Sequence, residues 1–199
     1  MPSLRDPQAE YTDQTFDGLA ISDEEIASKR FYDCTFAACS FTETVFRECR
    51  FFSCTFKECD LHLIRIPGCS FSNTHFQDSN VIGVNWTEAS WPKRAFMSPI
   101  GFSKCGISHS TFIGLSLRGI VIRECVARDV DFREADLTRA DLTHTDLADS
   151  LFLNTDLTEA DFRHARNYDV NASLNVVKQT KFSLPEAMSL LHSLDIILE

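Results

Sequence analysis

Residues 31–56 read FYDCTFAACSFTETVFRECRFFSCTF, and a phenylalanine recurs at every fifth position of this stretch. The same spacing of large apolar residues extends back to Phe16 and forward to Phe96, and it resumes from Phe102 to Phe162. Fifteen of the 17 phenylalanines occupy these positions. A helix repeats its apolar face every ~3.6 residues and a strand every ~2 residues, so neither element alone explains the pattern.

The eight cysteines follow the same spacing, because each lies two residues before a large apolar position. Elsewhere that slot mostly holds Thr, Ser, Ala or Val. Each unit therefore offers one small and one large inward side chain, followed by polar residues that turn a corner. A fixed period over many units is typical of a solenoid, in which each unit buries its apolar face against its neighbours. We therefore predict an all-β solenoid with an outward polar surface.

Cysteine and histidine usage does not favour a disulfide framework or a metal site. A small thiol at a regular inward position behaves as a buried apolar residue, and the cytosolic setting expected here keeps thiols reduced. A zinc site needs about four convergent ligands. The six histidines are scattered outside the inward slots, and only His144 and His164 share a repeat position. We expect eight buried free thiols, surface histidines, and no metal or other cofactor.

Catalytic motifs and membrane signals are not apparent in the sequence. No phosphate-binding glycine loop, nucleophile elbow or HExxH pattern occurs, and the chain has only seven glycines. No apolar run approaches ~18 residues, and no cationic leader precedes an apolar stretch. We expect one non-catalytic cytoplasmic protein that does not enter a membrane.

Charge is the most informative feature of the outward positions. The net charge is −10, and the segment 129–161 holds ten acidic residues against Arg133 and Arg139. Six of the aspartates directly precede a large apolar position and so belong to the repeat itself. An acidic rod is expected to repel nucleic acid and to attract a basic duplex-binding groove. A solvated surface that only keeps the rod soluble is the alternative. The candidate partner-facing residues are Asp129, Asp131, Glu134, Asp136, Asp141, Asp146, Asp149, Asp156, Glu159 and Asp161.

The spacing is interrupted at 91–101, where it slips by one residue. A one-residue slip would turn inward side chains outward, so we expect one extra residue to be looped out. Two prolines and Gly101 suit such a break. A plain bulge and a protruding contact loop are both compatible with it. The candidate contact residues are Pro92, Lys93, Arg94 and Met97.

The C-terminal residues change from the five-residue pattern to a helical one. Phe182 falls four steps after Phe162 in the five-residue series, and Ser183 and Glu186 have the spacing of a capping box. We predict a lead-in over 1–13, the solenoid over 14–182, and a capping helix with an apolar tail over 183–199. The tail could cover its own subunit, but we favour a two-fold dimer through this end. The predicted dimer residues are Leu184, Met188, Leu191, Leu194, Ile196, Ile197 and Leu198.

Several units resemble the pentapeptide repeat, whose pattern is a small residue, Asp or Asn, Leu or Phe, Ser or Thr, and a variable residue. Examples begin at Ala135, Ala140 and Thr155, and the resemblance covers about residues 14–164. It implies a right-handed quadrilateral β-helix with four repeats per coil. The five-residue period is visible in this sequence, whereas the number of four repeats per coil is implied only by the resemblance to the family.

A narrower resemblance is to the gyrase-protecting pentapeptide proteins. It rests on Gly83-Val84-Asn85-Trp86, on Trp91-Pro92, and on the apolar C-terminal segment that starts at Phe182. The chain is more similar to the albicidin-immunity type than to the plasmid quinolone-resistance type, whose members carry two longer loops. The resemblance implies a dimeric DNA mimic that binds DNA gyrase, or also topoisomerase IV, and protects it from topoisomerase poisons. A generic protein-binding scaffold is the competing hypothesis.

Overall fold

The computed structural model describes residue 4, residues 8–92 and residues 98–192, without the side chain of residue 192. The structure is built from strands of two to four residues, most of them centred on one large apolar side chain. The strands are β1 (Glu10–Thr12), β2 (Thr15–Asp17), β3 (Glu25–Ala27), β4 (Arg30–Tyr32), β5 (Thr35–Ala37), β6 (Val45–Arg47), β7 (Arg50–Phe52), β8 (Thr55–Lys57), β9 (Ser70–Ser72), β10 (Thr74–Gln77), β11 (Ile100–Ser103) and β12 (Ile122–Arg123).

Strands pair in parallel with strands one coil away. Phe16 is in register with Phe36, and Phe31 with Phe51, so one coil consists of four five-residue repeats in this part of the chain. The four repeats give the solenoid four sides. We number these sides by the central residues of the first coil: side 1 holds Phe16, side 2 Ile21, side 3 Ile26 and side 4 Phe31. The four-sided parallel β-solenoid predicted above is confirmed.

The four sides differ in how regular their strands are. Side 1 is a six-stranded sheet in the order β12-β11-β10-β8-β5-β2, and side 4 is a sheet in the order β1-β4-β7-β9. Side 3 begins with the pair β3-β6, and side 2 is held by single parallel bridges such as Ser40 with Asp60. Towards the C-terminus single bridges replace strands on the other sides as well, for example Asp141 with Asp161 on side 1.

The core consists of the central side chains, stacked coil upon coil. The rings of Phe36 and Phe56 lie 4.5 Å apart and nearly parallel, and those of Phe112 and Phe132 lie 5.4 Å apart. These distances match the ~4.8 Å separation of neighbouring strands. Stacked rings of this kind bury large areas and add ~1 kcal/mol per pair beyond burial alone.

The small inward slot has a second role that the apolar pattern does not reveal. In most slots that hold Cys, Ser or Thr, the thiol or hydroxyl donates to the carbonyl oxygen of a central residue one coil earlier: Cys34 Sγ lies 3.5 Å from Tyr11 O, and Thr44 Oγ1 lies 3.1 Å from Ile21 O. All eight cysteines are buried and free, as predicted. Cys, Ser and Thr share this slot because each is small and can donate one hydrogen bond.

The first coil starts earlier than predicted. Residues 1–13 were expected to form a loose lead-in, yet β1 lies within them and pairs with β4. Tyr11, five residues before Phe16, is 1% exposed, and its ring stacks on Phe31 at 5.3 Å. Leu4 is also buried. The five-residue spacing thus continues to Tyr11, because tyrosine fills a central position as well as phenylalanine does.

The interruption is larger than predicted. In a regular coil, Cys59 N donates to Ser79 Oγ across a separation of 20 residues. The equivalent bond across the interruption, from Val84 N to Ser110 Oγ, spans 26 residues. The difference, 26 minus 20, shows that the interrupted coil contains six extra residues rather than one. A five-residue period cannot distinguish one extra residue from six.

The extra residues fall between Trp91 and Pro99. Ser90 N still donates to Cys69 O, as in a regular coil, and Phe102 stacks on Phe76 at 5.1 Å beyond the interruption. Side 1 therefore continues unbroken.

The C-terminal end closes as predicted in one respect and differs in another. Phe182 packs on Phe162 at 5.3 Å and forms a last partial coil. The following segment is a 3-10 helix, Glu186–Met188, and a short α-helix, Ser189–His192. The predicted capping box is wrong, because Ser183 Oγ accepts a hydrogen bond from the backbone N–H of His164 instead. Leu184 does not pack on the coil either, since it is 77% exposed.

Candidate interaction surface

The recurring aspartates of the C-terminal half fix the corners of the coil. One carboxylate oxygen of each accepts the backbone N–H two residues on: Thr138 N lies 3.0 Å from Asp136 Oδ1, and Thr158 N lies 2.9 Å from Asp156 Oδ1. This side-chain turn satisfies an amide that the corner would otherwise leave without an acceptor. These aspartates therefore have a structural function before any other.

Arginines from neighbouring coils bind the second oxygen of several of these carboxylates. Arg118 Nη1 lies 3.0 Å from Asp136 Oδ2, and Arg123 binds Asp141 in the same way. Within their own repeats, Arg133 and Arg163 bind the preceding aspartates Asp131 and Asp161 at 2.6 and 2.7 Å. Arg139 binds Glu159 at 2.8 Å.

These contacts change the charge balance that the sequence indicated. Arg118, Arg123, Arg128, Arg163 and Arg166 all lie outside the segment 129–161, yet each binds a carboxylate within it. A count of the arginines within the segment itself gives only Arg133 and Arg139 and does not include these five. For Arg118, Arg123 and Arg128 the available signal was the spacing of 18 residues to an aspartate of the next coil, but this spacing has meaning only once the length of the coil is known.

The ion pairs also lower the pKa of the carboxylates. Arg133 beside Asp131 and Arg163 beside Asp161 hold the pKa of these carboxyls below the usual value. Burial opposes ionisation of Asp141, but hydrogen bonds from Arg123 and Thr143 outweigh it and the pKa is lowered. These groups stay charged down to acidic pH, while their charge is balanced locally.

The predicted partner-facing carboxylates do not form one column. Asp131 and Glu134 lie on side 3, Asp136, Asp156 and Glu159 on side 4, Asp141 and Asp161 on side 1, and Asp129, Asp146 and Asp149 on side 2. Successive repeats occupy successive sides, so neighbouring repeats in the sequence point in directions about a quarter turn apart. Only residues one full coil apart, such as Asp136 and Asp156, stack.

Asp146 cannot face a partner, which corrects its inclusion among the surface carboxylates. Asp146 is 1% exposed, and its carboxylate accepts hydrogen bonds from Arg128 Nη2 at 2.7 Å and from Asn167 Nδ2 at 2.8 Å. Arg166 Nε lies 3.7 Å away. Burial opposes ionisation, but these donors prevail and its pKa is lowered. Asp146 is a buried centre that joins three coils.

Among the described residues, side 2 has the largest surplus of carboxylates over cationic side chains. Asp129 and Asp149 occupy the same exposed corner on consecutive coils, where Asp129 N donates to Ala148 O. Among the described residues, the carboxylate of Asp129 contacts only the imidazole of His109, at 2.8 Å, and Asp149 has no cationic partner. The same corner carries Asp23 and Glu43 nearer the N-terminus. Arg128 and Arg166 are the described cations of this side, and both bind Asp146.

His144 and His164 stack on side 1, as their common repeat position indicated. Their ring centroids lie 4.7 Å apart, and both residues are exposed. Within the described part of the chain, no group of three or more Cys, His, Asp or Glu residues is arranged to hold a metal ion. No described helix is long and apolar enough to cross a membrane.

Only part of the predicted contact loop can be described. Pro92 lines an open groove on side 4 together with Trp91 and Pro99, whereas Lys93, Arg94 and Met97 lie outside the described residues. The groove also reaches Tyr32 and Phe52, which are not among the predicted contact residues. Phe52 is one of the two phenylalanines outside the original five-residue series, and that was the available signal.

The predicted dimer residues are partly visible. Leu184 and Met188 are 77% and 42% exposed, and Leu191 is half-buried. Leu194, Ile196, Ile197 and Leu198 lie outside the described residues. Further apolar side chains, outside the predicted dimer residues, are also exposed near this end of sides 3 and 4: they are Leu151, Leu153, Leu174 and Val176.

Comparison with known proteins identifies the repeat. The model of the pentapeptide repeat region matches residues 29–98 and 93–162, which together exceed half of the chain. No curated protein sequence matches the chain.

Solved structures support the same architecture. A trypsin-treated form of QnrB1, described as a plasmid-mediated fluoroquinolone resistance protein, superposes with a TM-score of 0.74 at 17% identity. That match covers 92% of this chain and 99% of the other. Full-length QnrB1 gives a TM-score of 0.59 at 17% identity, covering 92% of this chain and 100% of the other. At these identities the likeness concerns the fold.

Proposed function

Because the chain belongs to the pentapeptide repeat family, we propose that it is a non-catalytic mimic of duplex DNA that binds DNA gyrase in the cytoplasm. Binding would shield the enzyme, and its relative topoisomerase IV, from topoisomerase poisons and so confer drug resistance or self-immunity. The fold likeness to QnrB1, a fluoroquinolone resistance protein, agrees with this role. So does the earlier resemblance to the albicidin-immunity type.

The observation that carries the proposal is the uncompensated charge of side 2. Asp129 and Asp149 project from one corner on consecutive coils, about 4.8 Å apart along the solenoid. A basic groove that binds duplex DNA would attract such a row of carboxylates, and the attraction would weaken as salt rises. The arginine-paired aspartates of sides 1, 3 and 4 would contribute less, because their charge is already balanced.

A poison-protection assay tests the proposal directly. Purified gyrase is incubated with relaxed plasmid and a fluoroquinolone or albicidin, with and without this protein. Protection predicts restored supercoiling and fewer cleaved plasmids at one or both poisons, and comparing the poisons identifies which is countered. A protein that neither protects gyrase nor alters supercoiling on its own would rule the function out.

Charge-reversed variants test the surface. We expect D129K/D149K to bind gyrase at least about ten-fold more weakly, because a row of carboxylates becomes a row of ammonium groups. D33K/E48K is the matched control, since Asp33 and Glu48 are exposed, lie on other sides and have the same positive φ at corners. Equal losses in both double variants would indicate a response to net charge alone. Loss only in the control would place the contact elsewhere.

We also propose that two copies associate through their C-terminal ends. Leu184 and Met188 are exposed there, and the apolar residues 194 and 196–198 follow. Sedimentation equilibrium should give a dimer for the full chain and a monomer for L184E/M188E. A monomeric full chain at micromolar concentration would contradict the dimer.

A protein-binding scaffold without a role at gyrase is the second candidate. The exposed Leu151, Leu153, Leu174 and Val176 favour it, since clustered apolar side chains often mark protein contacts. L153K/L174K separates the candidates. If the protein is a DNA mimic that acts through side 2, this variant should protect gyrase as well as the wild type does. If the protein is a scaffold that acts through the apolar cluster, neither the wild type nor the variant should protect gyrase.

A further inference from the structure

A groove with a volume of about 730 Å³ lies on side 4 where the coil is interrupted. Small-molecule sites generally measure about 300–1,000 Å³, so the groove has a suitable size. It arises because the chain leaves the regular path of side 4 after Ser90 and rejoins the coil from Ser98 onward. Phe71, the last member of a stack that begins at Tyr11, lines the groove and is 8% exposed.

The walls of the groove are aromatic and their positions are fixed. Phe52 is 48% exposed, and its ring lies 6.2 Å from that of Tyr32 on the neighbouring strand. On another part of the wall, Trp91 Nε1 donates to Trp86 O at 2.8 Å, which holds the indole in place. Pro92 and Pro99 complete the apolar lining. Flat exposed rings of this kind favour a planar aromatic ligand.

The charge of the groove is opposite to that of the whole chain. Its thirteen described lining residues include no Asp or Glu, and Arg50 is their one charged member. In the previous coil Arg30 pairs with Glu10 at 3.7 Å, but Arg50 has no carboxylate partner among the described residues. Arg50 is also in register with Arg30 and Ser70. Two cations on adjacent strands repel each other, and an anion beside Arg50 would relieve that repulsion.

From this geometry we infer that the groove binds a small planar aromatic carboxylate. The ring of the ligand packs among Phe52, Tyr32 and Trp91, and its carboxylate pairs with the Arg50 guanidinium. Hydroxyl groups of Ser70 and Ser72 on the groove floor can donate further hydrogen bonds to the anion. The inference does not depend on gyrase binding, because it concerns side 4 and a small molecule.

Fluorescence anisotropy of 2-naphthoate, followed as the full-length protein is titrated in, tests the site. We expect saturable binding to the wild-type protein and about ten-fold weaker binding of uncharged 2-naphthylmethanol. R50A should bind 2-naphthoate about ten-fold more weakly and should no longer discriminate between the two probes. R50K should recover part of the affinity, because an ammonium group keeps the charge but not the bidentate geometry.

Two further variants make the test specific. F52A should weaken both probes, since it removes an exposed wall of the groove. R123A removes an arginine from side 1 and should bind both probes like the wild type. No saturable binding up to millimolar protein, equal binding by R50A and wild type, or an equal loss in R123A would each overturn the inference.

Discussion

Arg128 reaches one coil along side 2 and binds the buried carboxylate of Asp146, with Nη2 2.7 Å from Oδ2. Asn167 reaches the same carboxylate from the other direction, 2.8 Å from Oδ1. One aspartate thus joins three successive coils. This side has no multi-residue strands among the described residues and is held by single bridges. A side-chain contact between coils should therefore contribute more to holding the coils together here than on side 1.

The first prediction concerns this centre. D146A should lower the free energy of unfolding by about 2–3 kcal/mol, because a buried acceptor of charge-assisted hydrogen bonds is removed. D149N is the control: this aspartate lies in the same repeat but is exposed, asparagine tolerates its positive φ, and the substitution should cost less than about 0.5 kcal/mol. Urea unfolding followed by circular dichroism measures both. Equal stability of the two variants would contradict the role given to Asp146.

The second prediction concerns acid. Because the folded pKa of Asp131 and Asp161 is lowered, their ion pairs stabilise the protein fully above the unfolded pKa of about 3.9. That stability is lost as pH falls through the lower folded pKa. R133A/R163A should therefore reduce stability at pH 7 and flatten its decline below about pH 4.

The control for acid stability is R47A. Arg47 pairs with Glu25 at 3.0 Å, but both side chains are about half exposed, so the pair should contribute little. Urea unfolding at pH 7, 4 and 3 measures all three proteins. An unchanged pH profile in R133A/R163A would refute the assignment to these aspartates.

The third prediction concerns the aromatic stack of side 3. Phe132 is fully buried between Phe112 and Phe152, 5.4 Å from each ring. F132A should cost about 3–5 kcal/mol, because it leaves a cavity in a stack that cannot collapse without moving both neighbours. F52A removes a half-exposed ring and should cost much less. Guanidinium unfolding that ranks the two variants in the opposite order would contradict this account of the core.

The fourth prediction concerns the thiols. All eight cysteines are buried, so a thiol reagent has little access to them while the protein is folded. In the native protein a thiol reagent at pH 8 should therefore react slowly. After denaturation without reductant, about eight thiols per chain should react at once. A yield of four would instead indicate two disulfides.

The fifth prediction concerns the interruption. Deleting the six residues 92–97 should restore a regular coil, with Trp91 at a central position of side 4 and Phe102 still on Phe76. We expect the variant to fold with stability close to that of the full chain. It should also lose 2-naphthoate binding, since the groove would be replaced by a regular side. Aggregation or loss of the β-sheet signal would contradict the six-residue count.

The sequence predicted the core well because packing alone sets it. Central positions mostly hold large residues and slots mostly hold small ones, so Phe16, Phe36 and Cys34 could be placed without coordinates. The coil interruption was underestimated for a simple reason. The period reveals the number of extra residues only up to a multiple of five, and the true number emerges from the pairing of Thr74 with Ile100.

The surface was harder to predict, because it depends on coil length rather than on repeat length. The pairing of Arg118 with Asp136 joins consecutive coils, so it can be anticipated only when the number of repeats per coil is known. Likewise, Asp131, Asp136 and Asp141 look like one acidic row in the sequence but lie on three sides of the solenoid. Groove residues such as Phe52 and Trp91 meet only where the chain departs from its own repeat.

The six extra residues between Trp91 and Pro99 also leave every later repeat on the side of the solenoid that it would occupy without them. Had one repeat been wound into the coil, every later residue would have advanced by about a quarter turn, and Phe102 would lie above Val81 rather than Phe76. Because the extra residues are excluded from the winding, Asp129 and Asp149 project from the same corner as Asp23 and Glu43. An insertion of any length therefore keeps the surface side chains of successive coils aligned, provided that the chain rejoins the coil at the point where it left it.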